Sequence, residues 1–163
     1  MRLAKPIITV LLSCPLGTLA AQTVYPTKFS PQLVQLPAVR DALSYIDTSF
    51  EQQVGEWIRI TEIPAPSRLE DERGQYVRSQ MEELGLEVTV DSMGNVTGRH
   101  RGAGGGPTLA FAAHMDTVHP LGTNLSVRRE SGRLLAPGVF DNSASVANML
   151  AAARAIQAAG LVL

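Results

Sequence analysis

An uncharged apolar run, Pro107–Ala113, leads directly into His114 and Asp116. The run is short and follows a glycine-rich breaker, which predicts a buried β-strand. Because successive side chains alternate across a strand, His114 and Asp116 are predicted to point to the same side. A carboxylate in that position can orient the imidazole as a metal ligand. A structural Asp–His hydrogen bond without metal fits the same spacing, so both interpretations stay open.

A second carboxylate, Asp141, lies in a loop that begins at Gly138 and precedes a predicted helix. The side chain could simply cap that helix. It could equally lie at the sheet edge where open α/β proteins bind their ligands. Imidazole and carboxylate ligands without a thiolate suit zinc, cobalt or manganese. The only cysteine, Cys14, lies in the N-terminal segment, so no disulfide framework or thiolate site is expected in the rest of the chain.

Residues 1–21 have the layout of a secretory signal peptide, with a positive start, an apolar stretch and a small-residue junction. This layout predicts export to the periplasm or the medium. An internal helix or a membrane anchor is the alternative, but prolines and a glycine interrupt the run. Leu11–Cys14 also resembles a lipoprotein box, which would tether the protein through Cys14. No membrane span is predicted after Leu36.

The composition indicates a globular protein, since 45% of the 163 residues are hydrophobic and 18% are charged. The formal net charge is −1, and no basic face follows from that balance. Nucleic acid is therefore not an expected partner.

Hydrophobic spacing and turn residues predict an α/β fold. Residues 22–36 are predicted to form an extended leader. Four helices are predicted: Pro37 to Ile46, Ser49 to Thr61, a third that follows a capping box at Ser67–Glu70 and ends at Gly85, and a fourth from Asn142 or Ser143 to Gly160. Two pairs of strands are predicted: Leu86–Val90 with Val96–His100, and Leu125–Arg129 with Gly132–Leu135. The apolar residues Leu161–Leu163 begin another strand-like run, from which we expect a longer protein.

Two motifs together resemble the N-terminal metal motifs of the peptidase T, aminoacylase and carboxypeptidase family of di-zinc hydrolases. They are Ala113–Val118, which contains His114 and Asp116, and Ala136–Ala144, which contains Asp141. The resemblance extends over roughly residues 48–160. It implies a three-layer mixed sheet flanked by helices, incomplete in this chain, with residues 37–163 as the N-terminal part of the catalytic domain.

The resemblance also implies roles for individual residues. His114 would bind one zinc, and Asp141 would bridge two zincs beside Asn142, which fills a position that is commonly Asp. Asp116, the candidate catalytic residue, would orient His114. The general-base glutamate and the remaining ligands are expected beyond residue 163, so this piece alone is predicted to be inactive.

The sequence therefore predicts a zinc-dependent hydrolase that attacks a peptide or an N-acyl amino acid with a metal-activated water. Two zinc ions are expected per full-length chain, with cobalt or manganese as possible replacements. Two alternatives stay open. One is a truncated or degenerate family member without catalysis, and the other is an exported protein that binds a small ligand in the same crevice.

Overall fold

The computed structural model describes residues 29–162, and the predicted signal peptide, Cys14 and residues 22–28 of the leader lie outside them. Within this part of the chain, the helices are α1 (Pro37–Thr48), α2 (Phe50–Glu62), α3 (Asp71–Glu83) and α4 (Ser145–Ala158), and the strands are β1 (Glu87–Val90), β2 (Val96–Arg99), β3 (Arg128–Glu130) and β4 (Arg133–Leu135). Part of the expected extended leader, Pro31–Gln35, is a 3₁₀ helix.

The four predicted helices are confirmed, with boundaries set by local chemistry. Pro37 occupies the first turn of α1, where its missing N–H costs nothing. The chain leaves α3 through Gly85, whose φ of 68° is a left-handed conformation that glycine adopts without strain. Gly160 ends α4 in the same way, with φ 60°.

Both predicted strand pairs are present as separate antiparallel sheets. Strands β1 and β2 form a hairpin in which Val88 lies opposite Gly98. Strands β3 and β4 form a second pair with Arg129 opposite Leu134. The protein is therefore mixed α/β, and within residues 29–162 each sheet has two strands. A three-layer arrangement stays a prediction.

The core lies between α2, α3 and α4. Its buried side chains are Ile60, Val77, Met81, Val146, Ala147 and Leu150. Ala113 and Met115 pack against this core from the segment that carries the predicted site. Those two residues alternate with His114 and Asp116, so packing of one face fixes which residues face outward.

The predicted buried strand at Pro107–Ala113 is wrong for this structure. No β-strand forms there, and the Leu109 and Phe111 side chains are 70% and 77% exposed. A strand needs a neighbour to take up its backbone N–H and C=O groups. In the described residues β1–β4 pair only with one another, so nothing covers this segment.

The predicted capping box at Ser67–Glu70 is also wrong. Helix α3 follows Glu70 without a side-chain cap hydrogen bond. The Glu70 carboxylate instead accepts from the Arg68 backbone N–H at 2.6 Å. The Ser67 hydroxyl donates to Asp116, a residue far away in sequence. The Ser67 hydroxyl thus bonds to a residue distant in sequence instead of capping the start of α3.

None of the helices in residues 29–162 has the length and apolar character needed to cross a membrane.

Candidate metal centre

His114 is held between two carboxylates. Its Nδ1 lies 3.0 Å from Asp116 Oδ1, and its Nε2 lies 3.0 Å from Asp141 Oδ1. The side chain of His114 is 55% exposed, and those of Asp116 and Asp141 are 37% and 80% exposed. The structure thus brings all three predicted site residues together at an open surface.

The contact of Asp141 bears on the interpretation of that residue as a helix cap. The turn at Val139–Ala144 and helix α4 have no side-chain cap hydrogen bond at their starts. The carboxylate of Asp141 reaches across to His114 instead. The helix-cap interpretation is therefore wrong, and Asp141 belongs to the same site as His114.

The turn that carries Asp141 is fixed from both sides. Trp57 in α2 donates its indole N–H to the Val139 carbonyl. Asn142 donates from its side-chain amide to the His114 carbonyl at 3.3 Å. Gly138 opens the turn with φ 69°, and a Cβ there would lie 3.1 Å from Thr117 Cγ2. Glycine is needed at this position both for the left-handed backbone and for the close approach.

The segment around His114 is attached to the loop between α2 and α3. The Thr117 N–H donates to the Ala65 carbonyl at 2.7 Å, within a parallel bridge between Pro66 and Thr117. The Ser67 hydroxyl donates to Asp116 Oδ2, leaving Oδ1 for His114. Ser67 therefore fixes the carboxylate that orients the imidazole.

The electrostatics of the site favour a positive charge at His114. Burial lowers the pKa of His114, but the hydrogen bonds and charges of Asp116 and Asp141 outweigh it and leave the pKa raised. The hydrogen bond from Ser67 lowers the pKa of Asp116, against an opposing effect of burial and with help from His114. Asp116 is thus held as a carboxylate that accepts from the imidazole.

The pair His114 and Asp141 fits a divalent metal in both chemistry and spacing. Two ligands of one tetrahedral zinc are about 3.4 Å apart, since each Zn–N or Zn–O bond is about 2.0–2.2 Å long. The observed 3.0 Å between Nε2 and Oδ1 is close to that separation. Among residues 29–162 no group of three or more His, Cys, Asp or Glu side chains could hold a metal. The described part of the chain offers a pair of candidate ligands.

Two residues near the site were not predicted from the sequence. Ser67 was interpreted as a helix cap, because its spacing to Glu70 fits a capping box. Nothing in the sequence linked Arg73 to the site. In the structure Arg73 is buried and donates to the Met115 carbonyl at 2.7 Å.

Comparisons with known proteins cover the same region. Residues 110–163 match the sequence profile of peptidase family M20/M25/M40. This span contains His114, Asp116 and Asp141. Proteins of this family are generally metal-dependent.

Curated relatives extend the likeness toward the N-terminus. A LysW-lysine/LysW-ornithine hydrolase of Pyrococcus furiosus is 32% identical over 57% of this chain and 27% of its own length. Its counterpart in Pyrococcus abyssi is 36% identical over 36% of this chain and 17% of its own length. Allantoate deiminase 1 of Glycine max is 29% identical over 79% of this chain and 20% of its own length.

The matched part of the chain thus spans 17–27% of the length of these relatives. The profile match and the relatives confirm the family resemblance that the two sequence motifs indicated. The chain is thus similar to peptidase family M20/M25/M40 over residues 110–163, about a third of its length.

Proposed function

We propose that the protein is a zinc-dependent hydrolase that cleaves the amide bond of a peptide or an N-acyl amino acid. The observation that carries the proposal is the 3.0 Å approach of His114 Nε2 to Asp141 Oδ1 across a turn that fixes both residues. The family is generally metal-dependent, and two of the relatives are named hydrolases, which supports the same class of reaction.

The residues of this chain would bind and orient the metal. His114 would bind one zinc through Nε2, and Asp141 would bridge it to a second zinc. Asp116 holds the other imidazole nitrogen, Nδ1, so that Nε2 points toward Asp141, where it could act as a ligand. Ser67 keeps the Asp116 carboxylate in that orientation. A bound zinc pair would polarise the amide carbonyl and lower the pKa of the attacking water.

The proposal requires further groups, because a structural or catalytic zinc takes about three to four protein ligands. We place the remaining ligands and the general-base glutamate outside these 163 residues. The same additional chain would supply the strands of a three-layer sheet beside Pro107–Ala113. The 163 residues alone would then bind metal weakly and would not catalyse hydrolysis.

The substrate is proposed only as a chemical class. The names of the relatives specify LysW-lysine or LysW-ornithine in two cases and allantoate in another. These substrates differ from one another, so the names do not identify the substrate of this chain. Amide hydrolysis is the reaction class that the candidate ligand pair His114 and Asp141 supports.

The test is a hydrolysis assay on the full-length protein with a panel of dipeptides and N-acyl amino acids. We expect turnover of at least one compound, loss of turnover after treatment with a chelator, and recovery when zinc is added. The 163-residue chain serves as the inactive control. Zinc binding without turnover would instead indicate a non-catalytic family member. Binding of a small ligand with no dependence on metal would indicate the exported binding protein.

A further inference from the structure

Arg73 occupies an unfavourable place for a cation. It lies in the first turn of α3, where the positive end of the helix dipole opposes its charge. Its side chain is 1% exposed, so the guanidinium is also separated from water. Burial lowers the pKa of Arg73, and the negative charge of Asp116 partly opposes that effect. The contacts of Arg73 must therefore compensate for its position.

Arg73 donates hydrogen bonds to three backbone carbonyls. Its Nη1 donates to the Met115 carbonyl at 2.7 Å. Its Nη2 donates to the Ile63 carbonyl at 2.6 Å and, less closely, to the Thr61 carbonyl at 3.4 Å. Arg73 therefore joins the end of α2 to the segment that carries the metal site.

The two contacted segments are the one that carries His114 and Asp116 and the one that leads to Ser67. Met115 lies between His114 and Asp116, so holding its carbonyl fixes the backbone from which both side chains project. Ile63 begins the loop whose Ser67 hydroxyl donates to Asp116. The planar guanidinium can hold both carbonyls at once, because its donors form a rigid fork.

We propose that Arg73 is a positioning residue for the metal centre, acting through the Met115 and Ile63 carbonyls to hold His114 and Asp116 in the geometry that binds zinc. This inference rests on the proposed function, since it assigns Arg73 a role in zinc affinity. It goes beyond that function by naming a buried residue that touches neither metal nor substrate.

The test compares zinc affinity in the full-length protein and in two variants, Arg73→Lys and Arg73→Gln, by competition with a chelator of known affinity. Loss of an orienting group typically lowers metal affinity about 10–100-fold, and we expect a decrease in that range for both variants. Lysine keeps the charge but has no fork, so Arg73→Lys should not restore the affinity.

The matched control is Arg154→Lys. Arg154 is another largely buried arginine, with a side chain that is 17% exposed, but its partners are Glu56 and Gln80 rather than the His114 segment. We expect this variant to lower the melting temperature while leaving zinc affinity unchanged. A purely structural role for Arg73 would give the same pattern as Arg154.

The outcomes separate the two proposals. If the unmodified protein binds no zinc, the proposed function fails. If it binds zinc and the folded Arg73 variants bind it equally well, the positioning role is overturned and the proposed function stands. If neither Arg73 variant folds, as judged by far-UV circular dichroism, Arg73 serves the fold rather than the site, which also contradicts the inference.

Discussion

Replacing His114 by alanine is expected to lower the zinc affinity of the full-length protein by more than about 100-fold. The reason is that the variant removes a ligand outright, whereas loss of a group that only orients a ligand costs about 10–100-fold. Asp141→Ala should have an effect at least as large, because Asp141 is proposed to contact both zincs. Isothermal titration with zinc, or competition with a chelator, measures these affinities.

The same series separates ligand from orienting residue. Asp116→Asn keeps the shape of the side chain but weakens the hydrogen bond at His114 Nδ1, so its effect should fall in the 10–100-fold range. His100→Ala is the matched control, since His100 is exposed, follows β2 outside the site, and has its Nδ1 2.9 Å from the Arg101 carbonyl. Equal affinities for His114→Ala and His100→Ala would contradict the proposed role of His114.

Replacing Glu56 by alanine is expected to destabilise the fold by about 3–5 kcal/mol, the usual effect of removing one partner of a buried ion pair. Glu56 in α2 and Arg154 in α4 form a bidentate pair, and their side chains are only 7% and 17% exposed. Gln80 in α3 also accepts from Arg154, at 2.7 Å, so the pair ties three helices together. The variant would leave the guanidinium buried without its counter-charge.

The control for Glu56 is Glu51→Ala, which breaks a pair at the surface. Glu51 lies 3.0 Å from Arg129, with side chains that are 75% and 50% exposed. Surface ion pairs contribute at most about 1 kcal/mol, so the free energy of unfolding of this variant should be close to that of the unmodified chain. Urea denaturation followed by circular dichroism measures both. A similar, small loss for the two variants would show that the Glu56–Arg154 pair does not stabilise the helices as proposed.

Variants of the zinc site and variants of the Glu56–Arg154 ion pair should change different properties, zinc affinity in the first case and stability in the second. The side chains of His114 and Asp141 are 55% and 80% exposed, so their removal should change stability little in the absence of metal. Glu56→Ala should lower stability without a direct effect on zinc binding, since Glu56 is bonded to Arg154 and Tyr76 and not to the site. Substitutions at the site residues therefore test zinc binding, and substitutions at the ion pair test the stability of the fold.

Local signals in the sequence were sufficient to predict the helices and the strand pairs. Helical periodicity located α1 to α4, and the turn around Gly94 located the β1–β2 hairpin. Where burial depends on a distant neighbour, the same signals failed. Pro107–Ala113 has the composition of a buried strand, but the described residues supply no strand to pair with it. The amino-acid composition of a segment indicates which secondary structure it can form, but it does not identify the strand that would pair with it.

The candidate site could also be predicted only in part from the local sequence. Alternation along the chain placed His114 and Asp116 on one side, and the inward packing of Ala113 and Met115 explains why this succeeded without a strand. Spacing alone could not bring Asp141 to His114, since the two are 27 residues apart. The family resemblance supplied that contact.

Ser67 and Arg73 escaped sequence analysis for a different physical reason. Both residues lie near the start of α3, and each forms a hydrogen bond to the segment around Met115, more than 40 residues away in the sequence. Hydrogen-bond partners of this kind follow from the fold as a whole. The spacing of residues within a helix carries no information about them.

His114 and Asp141 are proposed to bind the same metal ion. Crystals of the full-length protein grown with zinc and measured at the zinc absorption edge would show whether they do. We expect an anomalous peak about 2.0–2.2 Å from both His114 Nε2 and an Asp141 carboxylate oxygen. A zinc peak elsewhere, with the direct His114–Asp141 hydrogen bond intact, would contradict it.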